Sequence, residues 1–268
     1  MPEYPEIRHL AEQMHSALAG KTLSGVEVAN PKCLNLPQEE FLRRIEGRTI
    51  LGATSKGKWA FLKLDDGSRL ALNLNMGGNV VLYGPGEGPR EKWRVVLRFT
   101  DNCSLSIGFW FLGYLHLIGP GEPHPMTDGL GADPLSEEFT FEEFDRLLGR
   151  RKLPIKTFLL RQDVISGIGN FYIQDLLFLA KIHPLRPIES LTTEERIRIY
   201  ETMRSYLQQA LDLGGASYEN GLYDEPGGFK EMLIGYKEGQ PCPVCGTAIK
   251  KIKTGSTSGF VCERCQPL

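Results

Sequence analysis

Two pairs of cysteines near the end of the chain, Cys242-x2-Cys245 and Cys262-x2-Cys265, constrain its fold more than any other feature. Close CxxC pairs bring four sulfurs to one point, and four thiolates suit a tetrahedral zinc ion at about 2.3 Å per Zn–S bond. A redox-active CxxC or a pair of disulfides is the alternative. Zinc is favoured because the opening stretch, MPEYPEIRHLAEQ, is polar, carries three glutamates and lacks the apolar block of a secretory signal. The expected compartment is therefore the cytoplasm, where disulfides are rare. Cys33 and Cys103 are left over and read as buried, inert thiols.

At 268 residues, with 41% hydrophobic and 24% charged residues, the chain can bury one large core or two smaller ones and is not disordered. It has no apolar run of about 18 residues, the length of a membrane span. A net charge of −2 offers no global reason to expect nucleic acid. Any such reading must come from local patches.

The expected fold class is α+β, in several domains. Short apolar segments (VEV, ILGATS, WAFLKL, RLALNL, NVVLY, WRVVLRF, SLSIGF) alternate with turn signals such as Asp66-Gly67 and Asp101-Asn102. They predict an N-terminal β-sandwich over 1–120. A helix leads it, with Ile7, Leu10, Ala11, Met14 and Leu18 at helical spacing and Gly20 as its stop; a shorter helix covers Gln38 to Ile45. Residues 121–135, rich in proline and glycine, read as a linker. Helical periodicity then marks a domain over 136–229, with Thr140/Glu143 and Thr192/Glu195 as capping boxes, and the zinc ribbon fills 230–268. Residues 216–229 read as an irregular loop.

Three local features could carry chemistry. Arg146, Arg150, Arg151, Lys152, Lys156 and Arg161 form a run of cations free of acids. It leads into Gly167, Gly169 and Asn170 ahead of an apolar helix, where bare backbone N–H groups suit a phosphate. The bland reading of that run is a solvated face. At the other end, removal of Met1 would expose Pro2 as a secondary amine able to form an iminium, with Glu3 and Glu6 as acid/base partners. The bland reading here is an exposed terminus with a glutamate on the helix dipole.

PEYPEI, GKW, LNMGG, LGADPLSEEF, PIKTFLLRQDVISGIGNFYIQD, KIHPLRP, YKEG and the terminal CxxC…CxxCQ occur in one order. Together they resemble the formamidopyrimidine-DNA glycosylase / endonuclease VIII family of base-excision repair enzymes, over nearly the whole chain. The resemblance implies a helix–two-turns–helix domain over 136–229 and one structural zinc. It implies a bacterial enzyme that acts as a monomer in the cytoplasm on double-stranded DNA holding a damaged base or abasic site. It makes Pro2 the nucleophile on the anomeric carbon, Glu3 the acid/base on the sugar, and Glu6 and Lys58 further parts of the catalytic site. Strand cleavage would follow by β,δ-elimination. Lys156 and Asn170 would contact backbone phosphate, and Met76 would fill the space left by the rotated nucleotide.

Three positions depart from the family pattern. A histidine usual before Leu-Gly-Met is replaced in Asn73-Leu74-Asn75-Met76. The arginine-bearing segment that meets the orphaned base is replaced by Gly108-Phe109-Trp110-Phe111-Leu112-Gly113, leaving Phe111 and Leu112 to wedge or stack. A zinc-hairpin arginine is replaced by Thr257, with Lys253 or Lys251 as substitute contacts. A protein that binds damaged DNA without catalysis is the competing reading, and the Pro2-Glu3 pair argues against it. The preferred lesion is not legible, because the candidate base-reading loop, Ala216 to Phe229, holds no recognisable motif.

Overall fold

The computed structural model describes every residue except 90, 91 and 231. The chain forms two compact units, one of residues Met1–Asp128 with Leu211–Phe229, the other of Gly129–Ala210 with Lys230–Leu268.

In the first unit, helix α1 (Tyr4–Leu18) opens with Pro5 in its first turn and buries Ile7, Leu10, Ala11, Met14 and Leu18 as one stripe. Gly20, at φ +84°, ends it where a side chain would be strained. Helix α2 (Gln38–Ile45) follows β1 (Leu23–Val28) and buries Phe41 and Ile45. The remaining strands are β2 (Ile50–Lys56), β3 (Trp59–Leu64), β4 (Arg69–Asn73), β5 (Asn79–Tyr83), β6 (Val95–Phe99), β7 (Ser104–Gly108) and β8 (Tyr114–Ile118). They form two antiparallel four-stranded sheets, ordered β1-β6-β7-β5 and β2-β3-β4-β8. One apolar core joins residues of both sheets with α1, including Leu62, Leu72, Leu97, Leu105 and Met14. Strand β8 is the one the sequence pattern hides. The turn before it lies in the run FWFLGY, whose aromatic residues carry no polar turn signal.

In the second unit, α3 (Phe141–Leu148) is capped by Thr140, whose Oγ1 accepts the Glu143 N–H at 3.4 Å. Helix α6 (Thr193–Asp212) carries the reciprocal pair: Glu195 N–H donates to Thr192 Oγ1 and Thr192 N–H to Glu195 Oε2. Between them lie α4 (Ile155–Leu159) and α5 (Tyr172–Leu179). Strands β9 (Lys250–Thr254) and β10 (Thr257–Val261) form the terminal hairpin.

The units divide the chain differently from the sequence-based boundaries. The 121–135 stretch is split: His124 is buried in the first unit, while Gly131 and Ala132 donate to Gln162 and Val164 in the second. Residues 211–229, expected with the helical domain, cluster with the first unit because Leu222 is buried in its core. The ribbon packs with the helices, where Phe178 of α5 shares a cluster with Ile249 and Phe260.

Candidate active site

Helix α1 organises the N-terminal site. Pro2, Glu3 and Glu6 are all buried, although two of them are carboxylic acids. A buried carboxylate needs donors, and Glu6 has two backbone ones. Its Oε2 accepts the Glu3 N–H at 2.8 Å, and its Oε1 accepts the Ala216 N–H at 2.8 Å. Two helical turns on, Gln13 repeats the pattern on the same face: its Oε1 accepts the Leu222 N–H and its Nε2 donates to Glu225. One face of α1 thus holds the loop 216–225. Gly215, at φ +85°, permits the close approach, since a Cβ there would sit 2.6 Å from Glu6 Cγ. The Met1 amine forms an ion pair with Glu219 of that loop at 3.1 Å.

Lys58 sits at the tip of the β2–β3 hairpin, in a two-residue turn led by Gly57 at φ +59°. Burial pushes its ammonium below the ordinary lysine range, and the Glu3 and Glu6 carboxylates push it back. Asn73 braces this tip: its Nδ2 donates to the Lys58 carbonyl and its Oδ1 accepts the Asn75 N–H.

Met76, Trp110, Phe111 and Leu112 are all more than half exposed. Phe109 is their buried anchor, and Asn75 Nδ2 donates to the Leu112 carbonyl at 2.7 Å. Met76 and Phe111 pair as a single antiparallel bridge. The result is an exposed rim of Met76, Trp110, Phe111 and Leu112.

In the second unit, Lys156 is 1% exposed and faces the hairpin rather than solvent. Its Nζ donates to Thr254 Oγ1 at 2.9 Å, Thr257 Oγ1 at 3.3 Å and the Ser258 carbonyl at 2.6 Å. An ammonium has three protons, so these contacts use them all. Burial lowers its pKa to about 8. Gln174 of α5 donates to the same Ser258 carbonyl and accepts the Phe260 N–H, while also donating to Asn170 Oδ1. Asn170 Nδ2 in turn donates to the Tyr236 hydroxyl. Asp175 is 1% exposed and accepts the Leu233, Ile234 and Gly235 N–H groups together with the Tyr206 hydroxyl. Lys251 and Lys253 are exposed on the hairpin.

No disulfide joins the cysteines. The sulfurs of Cys242, Cys245, Cys262 and Cys265 all lie within 4.8 Å of one another. Tetrahedral Zn–S bonds of about 2.3 Å require sulfurs about 3.8 Å apart. Cys242 and Cys265 are 3.8 Å apart, and Cys245 and Cys262 are 3.3 Å apart. The residues fit one structural zinc.

Gln13 and Glu219 lie in no sequence motif, and Gln174 and Asp175 close the PIKTFLLRQDVISGIGNFYIQD run without a role read for them. The signal for Gln13 is its two-turn spacing from Glu6.

Residues 1–108 match the model of the formamidopyrimidine-DNA glycosylase N-terminal domain. Residues 130–220 match that of the formamidopyrimidine-DNA glycosylase H2TH domain, and 239–268 the zinc finger found in FPG and IleRS. Fold and site therefore define a zinc-ribbon DNA glycosylase of the helix–two-turns–helix class. The formamidopyrimidine-DNA glycosylase of Pelotomaculum thermopropionicum is 33% identical over 99% of both chains, and that of Shouchella clausii 34% over 100% of this chain and 99% of its own. Among solved structures, the Lactococcus lactis Fpg in complex with abasic-site DNA has a TM-score of 0.90 at 27% identity, covering 99% of this chain and 100% of that one. The same bacterium's wild-type protein with DNA containing N7-benzyl-Fapy-dG has a TM-score of 0.91 at 26% identity, with both chains fully covered. The chain belongs to the formamidopyrimidine-DNA glycosylase family, whose members are DNA glycosylases with abasic-site lyase activity.

Proposed function

We propose that Pro2, freed by removal of Met1, is the nucleophile of a bifunctional glycosylase acting on duplex DNA. The target nucleotide must leave the base stack, because its sugar carbon is unreachable inside the duplex. The proline nitrogen forms a bond to the anomeric carbon as the C–N bond to the damaged base breaks. Glu3, acting as acid/base on the sugar, opens the ring to give the iminium. Successive β- and δ-eliminations then cut the strand. The observation that carries this reading is the burial of Pro2, Glu3 and Glu6 together, since an idle terminus has no reason to bury two carboxylates.

Lys58 supplies a cation beside the reacting sugar. Asn170 and the exposed Lys253 serve as phosphate contacts, and Met76, Phe111 and Leu112 fill the gap in the stack. Lys156 acts at one remove, by holding the hairpin. The four cysteines hold zinc, which stabilises the ribbon as a fold element. We place the enzyme as a monomer in the cytoplasm with the bacterial chromosome, in keeping with relatives from bacteria.

Borohydride reduces an iminium to a stable amine, so it should trap the processed chain on abasic-site DNA. Pro2→Gly should weaken trapping, and Glu3→Gln should lower base excision far more than lyase activity. Undiminished trapping by a chain that retains Met1 would remove Pro2 from the mechanism. Tight binding to damaged duplexes without base loss or trapping would instead favour a non-catalytic binder.

A further inference from the structure

The N-terminal amine has a carboxylate beside it from an element far from α1 in sequence. Glu219 Oε1 lies 3.1 Å from the Met1 nitrogen, and its side chain is only 12% exposed. Its backbone is fixed independently of that contact: the Glu219 N–H donates to Ala216, and its carbonyl accepts from Gly227. Ala216 is held in turn by Glu6. The carboxylate is therefore delivered to the amine by a braced segment.

From this placement we infer that Glu219 is a further catalytic residue, the base that takes the proton from the Pro2 ammonium before it attacks. The inference rests on the reading of Pro2 as nucleophile. Cleavage after Met1 moves the terminus inward by one residue, about 3.8 Å along the chain. A glutamate side chain can follow that step by rotation, or span it through one water. The proton balance is simple. Ammonium and carboxylate become neutral amine and carboxylic acid. The amine's lone pair forms the N–C bond while the bonding pair of the glycosidic bond leaves with the base. The Glu219 carboxyl then gives its proton to the departing base nitrogen, which regenerates the carboxylate.

The surroundings suit a base. Burial raises the Glu219 pKa, the Glu6 carboxylate raises it further, and the terminal amine opposes both. A base whose pKa is lifted towards neutrality accepts a proton more effectively. Glu219 also lines a cavity of about 440 Å³ with Lys92, Arg94, Asn79, Trp110 and Tyr218. The charged groups facing it are thus the amine, Glu6 on α1, and the two cations of the cavity wall. Glu3 is assigned to the sugar oxygen and Glu219 to the amine, so the two proton transfers are given to different carboxylates.

The test uses the processed chain, confirmed by mass to begin at Pro2, with a duplex holding a natural abasic site. Single-turnover borohydride trapping is followed from pH 5 to 9. Glu219→Gln should slow trapping at pH 7 by at least about tenfold. Its acid limb should move to higher pH, because the amine must then lose its proton unaided. Glu219→Asp should restore part of the rate. A Glu219→Gln chain with the parent's rate and profile overturns the proposal. So does a loss of the same factor at every pH, which marks a structural role. A chain that retains Met1 separates the two readings. If blocking the amine abolishes trapping while Glu219→Gln does not alter it, Pro2 stands and Glu219 falls. If the blocked chain still traps, Pro2 falls first.

Discussion

Glu6 Oε1 lies 2.8 Å from the backbone nitrogen of Ala216, which donates to it across 210 positions of sequence. The other oxygen of the same carboxylate accepts the Glu3 N–H, so one side chain joins the start of the chain to a segment near its far end. Glu6→Ala leaves both buried donors unsatisfied, at a cost of about 1–3 kcal/mol each. The variant should melt at a lower temperature and trap abasic-site DNA more slowly. A melting temperature within about 1 °C of the parent would show that the pairing contributes little.

Lys156 is expected to affect DNA binding without touching DNA. Its three donors are spent on Thr254, Thr257 and Ser258, so a phosphate would have to compete with all of them. Lys156→Met should weaken duplex binding by about tenfold or more, about 1.4 kcal/mol, because the hairpin loses its brace. The slope of log affinity against log salt should stay as it is. A slope flatter by about one unit would mark Lys156 as a direct phosphate contact.

A pH dependence is built in behind Trp59. His116 Nδ1 and His124 Nε2 are 2.8 Å apart, so the two rings share one proton, and His124 Nδ1 reaches Thr127 Oγ1 at 2.9 Å. Trp59 lies 5.6 Å from the His124 ring and 6.1 Å from the His116 ring. Burial, then the neighbouring His124, lowers the His116 pKa from 6.5 to about 4. The folded chain therefore binds fewer protons than the unfolded chain between those values. This stability is complete above pH 6.5 and is lost as pH falls towards 4, on the order of 2 kcal/mol for a partly exposed ring. In denaturant titrations from pH 7.5 to 4.5, His116→Phe should lose less stability than the parent. Parallel pH curves would contradict the shared-proton arrangement.

Within the exposed rim, the Met76, Phe111 and Leu112 side chains offer no donor to an orphaned base, and Trp110 offers a single indole N–H. A bidentate donor discriminates between bases by about 1–3 kcal/mol, whereas an apolar or aromatic wedge fills a gap beside any of the four. Single-turnover excision of one lesion opposite each base should vary within about tenfold, or about 1.4 kcal/mol. A hundredfold preference for cytosine would mean that another group reads the opposite strand.

Sequence legibility follows the range of each interaction. The caps at Thr140 and Thr192 are local and form where the pattern places them, the second as a full reciprocal box and the first with Thr140 Oγ1 alone, since Glu143 turns to Arg146. The zinc ligands are legible because each pair is close in sequence and thiolates have few other uses at that spacing. Lys156 is recognisable as a motif residue, but its partners lie about a hundred residues away, and sequence alone cannot tell a phosphate contact from a hairpin brace. Glu219 is harder still. It lies in a loop without periodicity, and its partner is the terminal amine, which leaves no side-chain signature. Asp175 hides for the opposite reason, since a lone acid in an apolar helix looks like an exposed residue until the N–H groups of 233–235 are seen to surround it.

The link between α1 and residues 216–225 also sets an order of events during synthesis. Ala216 leaves the ribosome 210 positions after Glu6. At about 5–20 residues per second, that interval is about 10–40 s. Throughout it, Glu6 Oε1 lacks the Ala216 N–H that the folded chain gives it. A nascent chain halted anywhere within α6 would lack the segment that Glu6 and Gln13 hold. On the proposed mechanism, competence for chemistry arrives late in translation, so prematurely released fragments should be inert towards the genome.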